Sequence, residues 1–249
     1  MYLEVKNLTV LYDRAMVINN ISLGVEKGEL VSLVGPNGAG KSTFLRAMVG
    51  LVKWEKDTLK GTVGGKITLQ GSVLFDNEEM INLAAHNVAK KGLILCPERG
   101  RPFAEMTVLE NLEAGAYLVN DKHVFNESLE KVFHLFPRLQ ERAKQVSGTL
   151  SGGERTMLSV GRSLMSQAKL LLIDEPSVGL APKVKEELFG RIRDVHDLGI
   201  TIFMTEQDVS FAFDLATRNY VLSRGKIIAE GRAEQLVEDE LLRKTYLGL

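Results

Sequence analysis

The sequence contains a single cysteine, Cys96, in 249 residues. One thiol excludes a disulfide within the chain, and with it the class of small secreted domains that disulfides hold together. Long apolar runs are absent too, since none approaches the about 20 residues that a membrane-spanning helix requires. We therefore expect that, if this protein works at a membrane, it docks on a partner that spans the membrane.

The chain also lacks an excess of charge of either sign. It has 31 lysine and arginine residues against 32 aspartate and glutamate residues, and its formal net charge is −1. Proteins that bind nucleic acid carry a basic surface that neutralises phosphates, so the composition predicts no nucleic-acid partner. What remains is an ordinary globular balance, with 45% apolar and 25% charged residues. The length suits one large domain, or a core with a sub-domain.

Apolar residues are arranged in two ways along the chain. Residues 2–10 and 17–25 alternate apolar and polar side chains, which predicts half-buried strands. Four short continuous runs follow, "LVSLV" 30–34, "GLILC" 92–96, "KLLLI" 169–173 and "ITIFM" 200–204. Continuous apolar runs are typical of strands that are buried on both faces of a parallel sheet covered by helices.

Helical patterns separate these runs, at 41–49, 78–90, 107–119, 123–136, 152–167, 183–198 and 208–217. Two of them begin with a capping pair, Thr107 with Glu110 and Ser151 with Glu154. The stretch from about 100 to 165 holds several helices and no convincing strand. We interpret it as a helical sub-domain inserted into one α/β domain, whose nucleotide-binding core comprises residues 1–99 and 166–249.

Unusual residues follow each of the four buried runs at once. They are "GPNGAGKST", "PERGR", "DEPSVG" and "TEQD". In open parallel sheets, ligands bind beyond the carboxyl ends of the strands. The sequence therefore predicts one site built from these four segments.

The first segment, "GPNGAGKST" 35–43, fits the pattern G-x-x-x-x-G-K-[ST] between a strand and a helix. Glycines let the backbone curl so that its N–H groups face an anion, and the following helix adds the positive end of its dipole. Lys41 is expected to reach the β- and γ-phosphates, and the Ser42 hydroxyl to hold Mg²⁺. The pattern predicts ATP binding by Gly35, Asn37, Gly38, Gly40, Lys41, Ser42 and Thr43.

The third segment supplies carboxylates directly after a buried strand. In "LLLIDEP" 170–176, Asp174 ends the strand and is expected to hold Mg²⁺, directly or through water. Glu175 follows, and a carboxylate in that position can act as the general base for an attacking water. An isolated "DE" is often only a solvated turn, but here it follows a phosphate-binding pattern.

Between these two segments lies "LSGGE" 150–154, and with it the sequence resembles the ATP-binding subunits of ABC transporters. The resemblance covers nearly the whole chain. It implies a P-loop NTPase core with a parallel sheet, an N-terminal antiparallel β sub-domain and the inserted helical sub-domain. It also implies a head-to-tail pair of subunits, in which Ser151, Gly152 and Gly153 of one close over the γ-phosphate held by the other. A helix N-terminus with such donors is a suitable anion site.

The resemblance also implies roles for single residues outside these motifs. Tyr12 falls where the family stacks an aromatic ring on adenine, although it could simply cover the edge of the core. Thr43 would support the α-phosphate. The segment "SVGLA" 177–181 corresponds to a loop that contacts the other subunit, but Ala181 stands where many relatives have an aspartate.

Two positions depart from the family pattern. Glu98 stands where the family usually has a glutamine that touches Mg²⁺ and senses the membrane partner, and its charge requires Mg²⁺, Arg99 or Arg101 nearby. Gln207 stands where the family has a histidine, while its neighbour Glu206 is the less suitable match. Gln207 cannot titrate, so we expect it to donate a hydrogen bond to the γ-phosphate while Glu175 acts as the base. Lys41 completes the predicted catalytic set.

The segments "PERGR", "MTVLENL", "EPSVGLAP" and "EQD", with a tail in "YLG", resemble the ATPases of branched-chain amino acid importers. The resemblance implies a second ATPase subunit (a sister or a copy), two integral membrane permease subunits and, indirectly, an extracytoplasmic solute-binding protein. It implies a peripheral location on the cytoplasmic face of the inner membrane. Segment 54–66 is longer than expected. Phe103, Met106 and Leu109 would line a groove for the permease, or simply pack in the core.

Three alternatives stay open at this point. Similar ATPases serve urea and short-chain amide uptake. A soluble ABC ATPase of the iron–sulfur assembly type uses the same motifs, although "GLAP" and Gln207 do not favour it. A subunit that binds ATP without hydrolysing it is disfavoured by the intact Lys41, Asp174 and Glu175.

Overall fold

A computed structural model of the chain describes residues 1–60 and 65–242. The "YLG" tail and part of segment 54–66 lie outside these residues. The strands are β1 (Leu3–Tyr12), β2 (Ala15–Val25), β3 (Leu30–Val34), β4 (Ile67–Phe75), β5 (Glu78–Glu79), β6 (Leu93–Cys96), β7 (Leu170–Asp174), β8 (Thr201–Glu206), β9 (Arg218–Ser223) and β10 (Lys226–Gly231). The helices are α1 (Lys41–Met48), α2 (Leu51–Thr58), α3 (Ala85–Lys90), α4 (Val108–Gly115), α5 (Lys122–Leu135), α6 (Pro137–Glu141), α7 (Gly152–Met165), α8 (Pro182–Asp197), α9 (Val209–Leu215), α10 (Ala233–Glu238) and α11 (Glu240–Leu242).

The N-terminal strands form an antiparallel sheet in the order β2-β1-β4-β5. In β1, Leu3, Val5, Leu8 and Val10 are buried. The register of β1 against β2 shifts between Val5 and Leu8. Asn7 lies at that irregularity with a φ of 51°. The extra residue keeps both halves of the strand facing the same core.

The second sheet has the order β10-β9-β3-β8-β7-β6. Strands β9, β3, β8, β7 and β6 run parallel, and β10 pairs antiparallel with β9. Alternate residues of one strand enter different cores: Leu170 and Leu172 face the core shared with the N-terminal sheet, whereas Leu171 and Ile173 face the core shared with the helices. Burial on both faces explains why these strands are continuous apolar runs.

Helices α4 to α7 form a bundle on α7. Gly161 of α7 allows this packing, because a Cβ there would lie 2.9 Å from the Val132 Cγ1 atom. Fully buried Asn111 fixes the segment before α4: it accepts a hydrogen bond from the Phe103 N–H and donates to the Phe103 and Thr107 carbonyls. Both predicted capping boxes, at Thr107 and Ser151, are present.

The fold-class prediction is confirmed: a parallel sheet covered by helices, with an antiparallel sheet at the N-terminal end. One predicted helix is wrong. Residues 78–90 form strand β5, a turn and the short helix α3. Glu79 explains the difference, because its carboxylate accepts hydrogen bonds from the Val73 and Ile81 N–H groups, and such local bonds compete with helix formation.

Helices α2, α6, α10 and α11 and strands β4, β9 and β10 have no counterpart among the predicted elements. Gly50, with a φ of 76°, turns the chain between α1 and α2. Across residues 1–60 and 65–242, none of the helices combines the length and the apolar character that a membrane span needs.

Candidate nucleotide site

The order of the parallel strands brings the four predicted segments together. Strands β3, β8, β7 and β6 are consecutive neighbours, so the residues after them share one edge of the sheet. Backbone hydrogen bonds join these residues directly. The Gly35 N–H donates to the Glu206 carbonyl at 3.3 Å, and the Glu175 N–H donates to the Thr205 carbonyl at 3.1 Å. The site is therefore built on a rigid sheet edge.

In the phosphate loop, residues 35–43, glycine is required at positions 35 and 38 for different reasons. At Gly35 a Cβ would lie 2.3 Å from the Leu222 carbonyl oxygen of β9, so no side chain fits there. At Gly38 nothing lies within 4 Å of a Cβ, but φ is +77°, a conformation that side chains disfavour. Packing thus fixes the start of the loop, and backbone conformation fixes its centre.

Lys41 is the buried cation of the site, with a relative exposure of 3%. Its Nζ donates to the Gly35 carbonyl at 2.6 Å and to the Pro36 carbonyl at 3.0 Å. It also pairs with Glu175 Oε1 at 3.0 Å. An ammonium has three donors, so these contacts hold Lys41 inside the loop and next to the predicted base.

Helix α1 begins at Lys41 and directs its N-terminus into the same loop. Its N-cap is Gly40, with a φ of 112°, which has no side chain to bond the first N–H groups. Backbone N–H groups and the helix dipole therefore favour an anion here. Together with the buried Lys41, this arrangement fits the phosphates of a nucleotide.

Asp174 is the buried carboxylate beside the loop, with a relative exposure of 5%. Its Oδ1 accepts hydrogen bonds from Ser42 Oγ at 3.1 Å and from Thr205 Oγ1 at 2.8 Å. Burial raises the pKa of this carboxyl, and the charges of Glu175 and Glu98 raise it further, whereas the two hydrogen bonds partly offset the effect. A divalent cation at Asp174 would neutralise this buried charge, so the donor set fits one.

Glu98 lies close enough to Asp174 to affect its pKa. Its carboxylate pairs with Arg99 Nε at 3.2 Å, and the Arg99 side chain is 75% exposed. Among the described residues, no three His, Cys, Asp or Glu side chains form a cluster that could hold a metal by themselves.

Glu175 has a φ of 41°, which is unusual for a residue with a side chain. Its N–H donates to both the carbonyl and the Oγ1 of Thr205, at 3.1 and 3.2 Å. These bonds hold the residue in a strained conformation, as is common at functional sites. The strand end thus directs Asp174 and Glu175 to different points of the site.

Tyr12 and Thr43 both line a cavity of about 430 Å³ beside α1. Thr43 follows Lys41 by two residues, so this cavity adjoins the phosphate loop. The structure therefore brings the predicted adenine and α-phosphate residues to one place, although their roles remain predictions.

Ser151, Gly152 and Gly153 are the residues predicted to close over the γ-phosphate held by the other subunit. Ser151 caps α7, and its N–H and Oγ donate to the Glu154 carboxylate at 2.9 and 2.7 Å. Gly152 is exposed and lines a cavity with arginine residues 99, 101 and 155, a cavity to which residues 35–43 contribute nothing. Gly153 is buried, and a Cβ there would lie 2.4 Å from Val184 Cγ1. Its lack of a side chain is therefore explained by packing.

Gln207 is exposed at the end of β8 and lines a cavity of about 370 Å³ with the loop 177–180. Glu206, the less suitable match to the family histidine, is fully buried. Its carboxylate accepts hydrogen bonds from the Ser177 N–H and Oγ at 3.0 and 2.9 Å, and from the Gln207 N–H at 3.1 Å. Burial raises its pKa, and these bonds lower it in part. Glu206 thus ties Gln207 to that loop. A carboxylate ending a buried strand is the only sequence signal for it.

These features define a P-loop nucleotide-binding protein. The glycine-rich loop with its buried lysine follows β3, and the carboxylate of Asp174 ends β7, two strands away in the parallel sheet. The sequence profile of the ABC transporter family matches residues 18–178. A high-affinity branched-chain amino acid transport ATP-binding protein of Pseudomonas aeruginosa, BraG, is 38% identical over 246 residues, which cover 99% of both chains.

Two further comparisons broaden this picture. A lipopolysaccharide export system ATP-binding protein of Haemophilus influenzae, LptB, is 32% identical over 99% of this chain and 97% of its own. A solved ATP-binding cassette of an ABC transporter, in its ADP conformation, aligns with a TM-score of 0.78 and 27% identity over 98% of this chain and 97% of that one. The chain belongs to the ABC transporter family and is a nucleotide-binding ATPase. The predicted resemblance to the branched-chain amino acid branch is confirmed.

We expect alanine substitutions in the phosphate loop to differ in their effect on stability. Gly35→Ala forces a Cβ against the Leu222 carbonyl and should lower the free energy of unfolding by about 3 kcal/mol, measured by urea denaturation. Gly38→Ala meets no atom and should cost about 1 kcal/mol through its positive φ alone. Gly28→Ala is a matched control, because Gly28 has a φ of +76° and open space. Equal losses at Gly35 and Gly38 would contradict this account.

Asp174→Asn should stabilise the fold while it impairs the site. Asparagine keeps the Oδ1 that accepts from Ser42 and Thr205 and removes a buried charge, so we expect a gain of about 1 kcal/mol at pH 7. A carboxyl with a raised pKa stabilises the native state below its unfolded pKa and loses that effect as pH rises. The advantage of the variant should therefore disappear as pH falls towards about 3.9.

A control comes from Asp208, whose pKa is lowered by hydrogen bonds from Lys185 and Ser210 despite the opposing effect of burial. Asp208→Asn should lower the melting temperature at pH 7, the opposite sign to Asp174→Asn. If both variants melted lower than the wild type, the buried charge of Asp174 would not be a cost to the fold.

Proposed function

We propose that this chain is the ATP-hydrolysing subunit of an ABC importer that takes up branched-chain amino acids, or a similar small polar solute, through partner membrane subunits. The observation that carries hydrolysis is the contact of buried Lys41 with Glu175, beside Asp174. The observation that favours this cargo class is the 38% identity to the Pseudomonas aeruginosa branched-chain amino acid transport protein.

ATP binds with its phosphates at the N-terminus of α1, where Lys41 contacts the β- and γ-phosphates and Thr43 the α-phosphate. The N–H groups of Gly35, Asn37, Gly38 and Gly40 belong to the same loop. The ring of Tyr12 supports the adenine. Ser42, Asp174 and Glu98 would hold Mg²⁺, which neutralises charge on the phosphate oxygens. The Ser42–Asp174 hydrogen bond of 3.1 Å supports this assignment.

The Lys41–Glu175 pair links binding to chemistry. A bound γ-phosphate competes with Glu175 for the ammonium of Lys41, which now contacts both Glu175 and the loop carbonyls. When Lys41 turns to the phosphate, the Glu175 carboxylate loses its counter-ion and can accept a proton from the attacking water. Gln207 donates a hydrogen bond to the γ-phosphate and orients it, since its amide cannot act as a base.

A second ATPase subunit completes the site in this proposal. Gly152 lines a cavity to which residues 35–43 contribute nothing, so Ser151, Gly152 and Gly153 are suited to the nucleotide of a partner chain. That partner is a sister ATPase or a second copy. Segment 177–181 lies beside Gln207 and would contact the partner, with Ala181 in place of an aspartate.

The permease subunits dock on the helical sub-domain, at about residues 100–165. Phe103 and Met106 are 52% and 40% exposed, whereas Leu109 is half-buried. The Arg162 guanidinium lies 5.1 Å from the centre of the Phe103 ring and holds it at the surface. Exposed apolar side chains of this kind suit a partner's apolar helix. The subunit would thus sit on the cytoplasmic face of the inner membrane, with the solute-binding protein on the other side.

A lipopolysaccharide exporter is the second candidate, because its ATPase from Haemophilus influenzae is 32% identical over nearly the full length. One experiment separates the two. Tagged Glu175→Gln, produced in the native host, is purified from gently solubilised membranes, and the co-purifying proteins are identified by mass spectrometry. Importer permeases with a second ATPase and a neighbouring gene for a solute-binding protein support the proposal. Export-system proteins, a soluble scaffold, or the chain alone would overturn it.

Turnover measurements should separate the roles of Glu175 and Gln207. We expect Glu175→Gln to lower kcat by at least about a hundredfold, because it removes the base. Gln207→Ala should lower kcat by about tenfold, because it removes one hydrogen bond to a charged group. Exposed Glu186→Gln on α8 is the control and should leave kcat unchanged. Activity that survives Glu175→Gln but not Gln207→Ala would reverse the two roles.

A further inference from the structure

Helix α2 forms a wall of the cavity beside the phosphate loop. The cavity has a volume of about 430 Å³, and its lining includes Tyr12 from β1, Thr43 and Arg46 from α1, and Trp54 and Glu55 from α2. This volume is typical of pockets for small molecules. Since Thr43 belongs to the phosphate loop, this cavity adjoins the place where the phosphates of a nucleotide would lie.

Glu55 fixes the Tyr12 ring at one side of the cavity. The Tyr12 hydroxyl donates a hydrogen bond to Glu55 Oε2 at 3.0 Å. Arg46 forms an ion pair with the other carboxylate oxygen of Glu55. Burial raises the pKa of Tyr12 to about 12, and the hydrogen bond to Glu55 adds to this, so the phenol keeps the proton that it donates. Helices α1 and α2 thereby hold the ring in one orientation.

Trp54 lies next to Glu55 in the chain and is 61% exposed. It is the only tryptophan in the sequence. An indole on a cavity wall offers a large flat apolar face, and planar bases stack favourably on such faces. The same cavity thus presents two aromatic side chains from different elements, Tyr12 and Trp54, close to a site for phosphates.

We propose that α2 extends the nucleotide site: a purine base contacts Trp54 as well as Tyr12, and Glu55 is a positioning residue that fixes the Tyr12 ring. This inference rests on the proposed function, because it assumes that the phosphate loop holds the triphosphate.

The emission of the single tryptophan provides a direct test. The purified full chain is titrated with ATP and, separately, with inorganic triphosphate, and binding of each is measured independently by calorimetry. We expect ATP to change the emission of Trp54 and bound triphosphate to leave it unchanged. An equal change with triphosphate, or bound ATP without any change, would overturn the inference and leave the phosphate site intact.

Variants test the energetic contribution. Trp54→Ala should raise the Kd for ATP by about tenfold and leave the Kd for triphosphate unchanged, since base stacking contributes to ATP alone. Trp54→Phe should recover most of the affinity. Tyr117→Ala removes an aromatic side chain that is 87% exposed in the helical sub-domain and should bind ATP like the wild type. Wild-type affinity of Trp54→Ala for ATP would overturn the contact.

The positioning role of Glu55 needs a readout that simple loss of structure would not give. Glu55→Ala should weaken ATP binding and leave triphosphate binding unchanged, and Glu55→Gln should restore ATP binding by keeping an acceptor for Tyr12. In Tyr12→Phe, which lacks the donor, Glu55→Ala should have little further effect. Additive losses would overturn the positioning role. If the wild type bound neither ATP nor triphosphate, the proposed function itself would fail.

Discussion

The candidate site depends on the position of one buried ammonium. Lys41 is 3% exposed and lies between two loop carbonyls and the Glu175 carboxylate. A buried charge is stable only when it is paired and hydrogen-bonded. The close packing of Gly35 against β9, the helix start at Gly40 and the strained backbone of Glu175 all serve that pairing. Any of these features would be a cost without the lysine that they surround.

The parallel sheet makes this arrangement possible at low cost. Its central strands are buried on both faces, so two hydrophobic cores hold them in place. Segments that are far apart in the sequence, such as those of Lys41 and Asp174, then meet at one rigid edge. Thr205 lies on β8, between β3 and β7. Its hydroxyl donates a hydrogen bond to Asp174 and accepts one from the Glu175 N–H, so it fixes the position of both residues.

Local sequence patterns predicted the buried strands and two helix starts, because these depend on residues that are close together in the chain. The continuous apolar runs predicted buried parallel strands, and the capping pairs at Thr107 and Ser151 predicted two helix starts. The helix predicted over residues 78–90 was wrong, because the hydrogen bonds that Glu79 accepts from the backbone outweigh the helical spacing of the apolar residues. The phosphate-loop pattern and the "DE" pair predicted which residues belong to the site, but they did not predict the contact between Lys41 and Glu175. The burial of Glu206 depends on a neighbour 29 residues away, Ser177, which no local pattern reveals.

The close packing of Gly153 against Val184 also limits how this sequence can evolve. A Cβ at position 153 would lie 2.4 Å from Val184 Cγ1, so Val184 has to shift or change its rotamer before a side chain fits at 153. The two positions therefore cannot drift independently. A residue without a Cγ1 atom at 184 removes this contact and leaves room for a side chain at 153. Space thus couples the two positions, even though neither residue carries a charge or a reactive group.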